Sequence, residues 1–153
     1  MVIKMLTQPH RQSAQRSAER GFTLVEMLVV ISIIALIMAL VGPRVLNFLT
    51  ESKVKAAKIQ IESLSSALDL YALDTGRYPL SSEGLEALMQ PPGNTTSWNG
   101  PYLKGNLLPK DPWGNSYIYR SPGQHGAYDI LSYGADGQEG GTGAAADISS
   151  WSQ

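Results

Sequence analysis

Few side chains in this 153-residue sequence are placed to do chemistry. Asp129, Asp136, Glu139 and Asp147 crowd the last third, and neighbouring carboxylates can trade protons or ligate a hard cation. A hydrolytic carboxylate pair also needs a cleft, which so short a body has little room to form. His10 and His125 lie far apart, so a histidine metal cage or a Ser-His-Asp arrangement is poorly supplied. The absence of cysteine excludes a disulfide framework, a thiolate zinc site and a cysteine nucleophile together. There is no Walker loop. The sequence reads as a non-enzyme. Its composition, 43% apolar and 16% charged with net charge −1, suits one domain plus a short extra segment. It fits neither a disordered tail nor a nucleic-acid binder.

Glu26 is the acid that most needs an explanation. Phe22 to Val41 is an apolar run of twenty residues in which Glu26 carries the one charge. Such a run matches the hydrocarbon thickness of a bilayer. It exceeds the apolar core of about 7–15 residues in a secretory signal, and no small-residue cleavage site closes it, so a retained membrane helix is expected. A carboxylate at the centre of a span costs about 2.5–3.5 kcal/mol, less near an end. Either Glu26 snorkels to water or it meets a positive charge inside an assembly; the span holds no Lys or Arg to serve.

The elements around the span follow from charge and periodicity. Lys4, Arg11, Arg16 and Arg20 against Glu19 leave residues 1–21 with a positive excess, while the rest of the chain is mildly acidic. Because Arg44, Lys53, Lys55 and Lys58 follow the span, positive charge alone barely decides orientation. A short cytoplasmic leader with the long domain translocated is the simpler arrangement. Val54, Ala57, Ile61, Leu64, Leu68 and Tyr71 recur at helical spacing, so an amphipathic helix continues beyond the span. Gly42-Pro43 predicts a kink, a locally melted turn, or the membrane exit. Residues 74–79 are turn-rich. Leu85, Leu88 and Met89 predict a short helix with a serine cap from Ser81 or Ser82. Asn94-Thr95-Thr96 is a chance glycosylation string. Ser116–Arg120 and Ala127–Ser132 predict a β-hairpin, and Asp111-Pro112-Trp113-Gly114 a turn carrying a core tryptophan.

Arg20-Gly21-Phe22-Thr23-Leu24-Val25-Glu26 resembles the class III signal of type IV pilins and pseudopilins. The resemblance implies that a prepilin peptidase cuts between Gly21 and Phe22 and methylates the new amino terminus. It also implies that the Phe22 ammonium meets Glu26 of a neighbouring subunit. Further along, Gly100-Pro101-Tyr102-Leu103-Lys104, Asp111-Pro112-Trp113-Gly114-Asn115, Gly123 to Asp129, Gly134-Ala135-Asp136-Gly137, Asp147-Ile148 and Trp151 resemble the major pseudopilins of the type II secretion system. That family clips its carboxy-terminal loop with calcium. The resemblance carries the Tyr133 carbonyl and the Asp136 carboxylate over as ligands, with Asp147 as a further ligand or a structural cap. This sequence departs from the family at Gly143-Ala144-Ala145-Ala146, where acidic or amide residues are usual. The site is then weaker, rebuilt from carbonyls, or absent.

The expected architecture is α+β and type IV pilin-like: a long amino-terminal helix, membrane-spanning in its first half, packed on a small antiparallel sheet with a carboxy-terminal loop. Its parts are a cleaved leader (1–21), a transmembrane part (22–42) and a periplasmic domain (43–153). The implied function is structural. Copies form a periplasmic pseudopilus from a single-pass inner-membrane subunit and help drive folded proteins across the outer membrane. The implied partners are further copies, minor pseudopilins, the prepilin peptidase, the inner-membrane assembly platform and membrane lipid, with no nucleic acid. A type IV pilus pilin is the alternative, disfavoured by the missing cysteines. A signal-anchored periplasmic enzyme or calcium-dependent binding module is the reading from another class.

Overall fold

The computed structural model describes residues 21–152 except Asn94 and Asn106. The leader through Arg20, and Asn94 of the glycosylation string, lie outside the described residues. Contacts divide the chain between Leu40 and Val41 into two compact units.

Helix α1 runs Leu24–Thr75. Residues 21–41 are exposed throughout, in keeping with a run that has apolar side chains on every face. The same helix then buries Ala57, Ile61, Leu64, Ala67, Leu68 and Tyr71, the stripe expected from its periodicity with Ala67 added. Val54 is only partly covered, at the margin of the core. Residues 41–44 are helical, so no turn melts at Pro43. Proline loses one ladder donor, but its fixed φ is already helical, and the turns on both sides stay bonded. The helix ends on Gly76, at φ 78°, whose N–H donates to the Ala72 carbonyl at 2.8 Å.

The rest of the second unit packs against the buried stripe. A 3-10 helix, Leu85–Leu88, contributes Leu85, Ala87 and Leu88 to the core. Its N-cap is Gly84 rather than a serine. The Ser81 hydroxyl is committed elsewhere, donating to the Ser121 carbonyl at 3.0 Å and accepting the Ser121 N–H at 2.7 Å. Strands β1 (Ile118–Arg120), β2 (Asp129–Ser132) and β3 (Ile148–Ser149) form an antiparallel sheet in the order β1-β2-β3. The expected hairpin is present, each strand beginning two residues later than expected, with Tyr119 opposite Ile130. The two-residue β3 has no sequence signal of its own and exists by pairing with β2. Tyr117, Ile130 and Ile148 join the helical stripe in one core.

Candidate functional site

The head of α1 is built by a local motif. Thr23 accepts the Met27 N–H on its carbonyl and the Glu26 N–H on its hydroxyl, both at 3.2 Å. Thr23 is therefore the N-cap, and Glu26 occupies the third helical position. The spacing Thr23-x-x-Glu26 is that of a capping box, a helix-start signal present in the sequence itself. A carboxylate in this first turn also complements the helix dipole. Gly21, Phe22 and Glu26 are all exposed, and Glu26 has no ion-pair partner among the described residues.

The acids of the last third are separated by the fold. Asp129, in β2, is buried and accepts N–H groups from Gln124 at 2.8 Å and His125 at 3.3 Å, with the His125 ring at 3.3 Å. Burial pushes its pKa up, but these three bonds outweigh it and hold the carboxyl below the usual range. Asp136 is exposed and accepts the Gln138 N–H at 3.1 Å, a local turn contact. Asp147 accepts the Gly140 N–H on Oδ2 at 2.9 Å, while its Oδ1 is buried with no partner. No group of three or more metal-ligating side chains occurs among the described residues.

Backbone oxygens also lie at the start of the loop. The chain leaves β2 through Tyr133, half-buried, and Gly134, at φ +63°. A Cβ on Gly134 would fall 2.8 Å from the Ala144 carbonyl oxygen and 2.9 Å from that of Ala146. The Ala135 N–H donates to the Ala144 carbonyl at 3.0 Å. The Ala144 and Ala146 carbonyls thus lie beside Gly134 at the start of the loop, while the Ala145 carbonyl oxygen lies beside Gly141. Carbonyl and carboxylate oxygens are the donor types that a hard cation of the calcium type takes.

Asp111 is more than a turn residue. It is 4% exposed, and its carboxylate accepts N–H groups from Trp113 and Asn115 and the Ser132 hydroxyl. Trp113 itself packs against the core from a partly exposed position.

A long exposed apolar helix with a capped acid at its head, continuing as the core helix of a small antiparallel sheet, defines a type IV pilin-like protein. Residues 16–42 match the prokaryotic N-terminal methylation motif. Residues 44–151 match the model for type II secretion system protein G, and the chain belongs to that family. It is similar to the type II secretion system core protein G of Pseudomonas aeruginosa, 47% identical over 141 residues covering 90% of this chain and 98% of that protein. The corresponding protein of Vibrio cholerae is 45% identical over 136 residues, covering 87% and 92%. A crystal structure of the major pseudopilin from the type 2 secretion system of enterohaemorrhagic Escherichia coli superposes with a TM-score of 0.56 at 34% identity. That match covers 67% of this chain and 90% of that one.

Proposed function

We propose that this chain is a structural, non-catalytic subunit that polymerises into a periplasmic pseudopilus and helps drive folded proteins across the outer membrane. A prepilin peptidase cuts between Gly21 and Phe22 and methylates Phe22. The retained apolar helix anchors the subunit once in the inner membrane, with residues 43–153 in the periplasm. From there the assembly platform and the minor pseudopilins take it into the filament.

The observation that carries this reading is Glu26, exposed and without an ion-pair partner among the described residues, in the first turn of an apolar helix. Cleavage after Gly21 creates an ammonium four residues away, and a neighbouring copy's ammonium in apolar surroundings attracts the carboxylate far more strongly than in water. Intact mass and amino-terminal sequencing of membrane-extracted protein should find a methylated Phe22. Glu26→Gln should be processed and inserted normally yet yield no filaments. Retention of Met1, or wild-type filament yield from Glu26→Gln, overturns the reading.

We also propose that the loop holds calcium, with the Tyr133 carbonyl, Asp136 and Asp147 among the ligands and alanine carbonyls standing in for missing acids. The orphaned Asp147 Oδ1 and the carbonyls facing Gly134 support this. When bound, the ion supplies a cross-link between the two ends of a glycine-rich loop. The full chain in detergent should melt higher in calcium than in chelator, and Asp136→Ala should erase the difference. Equal melting temperatures would show a loop held by packing alone.

A further inference from the structure

The buried Asp111 carboxylate holds three hydrogen bonds, and they serve two different purposes. Its Oδ1 accepts the N–H groups of Trp113 at 3.1 Å and Asn115 at 2.8 Å. The Asp111 N–H donates to the Asn115 carbonyl and the Gly114 N–H to the Asp111 carbonyl, each at 2.9 Å. Those bonds close the 111–115 turn and need only one side-chain oxygen. The second oxygen, Oδ2, accepts the hydroxyl of Ser132 at 2.7 Å. Ser132 is 1% exposed and ends β2.

From there the contact passes to the loop. The Ser132 hydroxyl oxygen accepts the Gly134 N–H at 3.2 Å, and the Asn115 side-chain amide donates to the Gly134 carbonyl, also at 3.2 Å. Both backbone polar groups of Gly134 are thus held by the 111–115 turn, directly or through Ser132. Gly134 is also the residue with no room for a Cβ beside the Ala144 and Ala146 carbonyls. A buried carboxylate is costly unless its oxygens are satisfied, and an amide or a hydroxyl would serve a plain turn. The requirement for two accepting oxygens comes from the bridge to Ser132.

We infer that Asp111, acting through Ser132 and Asn115, is a positioning residue that sets where the 134–147 loop leaves the sheet. Where cation affinity is concerned, the inference rests on the calcium reading above. It assigns the 111–115 turn a role in shaping the loop although the turn supplies no ligand.

The test uses the full chain in detergent micelles, as wild type, Ser132→Ala and Asn115→Ala. Ser132→Ala cuts the bridge and leaves the turn closed; Asn115→Ala releases only the Gly134 carbonyl. Amide exchange is followed in chelator, and calcium binding by titration with the metal alone. Each variant should exchange about tenfold faster at residues 134–146, the equivalent of one hydrogen bond, with β1 and the buried half of α1 unchanged. Calcium should bind each about tenfold more weakly. Unchanged loop exchange in both variants overturns the inference, as does an equal loss of protection across the whole core. If wild type binds no calcium while the loop still loosens selectively, the calcium reading fails and the positioning role stands.

Discussion

The imidazole of His125 lies flat on the indole of Trp151, with ring centroids 3.9 Å apart and planes 8° from parallel. The stack joins the turn between β1 and β2 to the residues just past β3. Beneath it, the His125 ring reaches the buried Asp129 carboxylate. One turn residue thereby touches both the second strand and the end of the chain.

The stability this arrangement confers should depend on acid in a defined direction. Asp129 is held below the ordinary carboxylate value, so its contribution is complete above the unfolded value of about 3.9 and is lost as pH falls through the folded one. Melting temperature followed from pH 7 to pH 3 should fall more steeply below about pH 4 for wild type than for Asp129→Asn. Parallel profiles would show that the carboxylate carries no such linkage.

Leu68 has no exposed surface, whereas Leu73 on the same helix is 80% exposed. Leu68→Ala should cost about 2–5 kcal/mol, a cavity plus lost transfer energy. Leu73→Ala should stay within about 0.5 kcal/mol in the same melting assay. Comparable losses would place the core elsewhere.

Gly134 and Gly126 make a second matched pair. Gly134→Ala forces a side chain into the left-handed region and against two carbonyl oxygens, so it should destabilise by well over about 1 kcal/mol. Gly126 has nothing nearer than the Tyr128 carbonyl oxygen at 3.8 Å, and Gly126→Ala should be neutral or stabilising by up to about 1 kcal/mol. A tolerated Gly134→Ala would mean that the loop shifts freely from the alanine carbonyls.

Thr23 should matter to the helix head through its hydroxyl. Thr23→Ala removes the bond to the Glu26 N–H and should cost the first turn about 0.5–2 kcal/mol, read as faster amide exchange at Leu24 to Met27 in micelles. Thr23→Ser should restore protection. Equal exchange in all three would assign the first turn's order to the surrounding lipid.

Features that rest on local periodicity or on a single strong signal can be read from the amino-acid sequence. The apolar run, the stripe from Ala57 to Tyr71, the hairpin and the Gly21-Phe22-Glu26 head are all legible because each repeats at the period of its element or sits at fixed spacing along it. Features that rest on distant partners emerge only when the chain folds. Ser81 looked like a helix cap, and its hydroxyl went instead to Ser121, forty residues on. Gly42-Pro43 allows a melted turn, yet the helix runs through it. Strand β3 is too short to announce itself and forms only because β2 offers an edge. Asp111 read as a turn former, since the residue that claims its second oxygen, Ser132, is brought to it by folding alone. Hydrogen bonds between side chains far apart in sequence carry no periodic signature, so only the folded chain reveals which of the polar residues are joined.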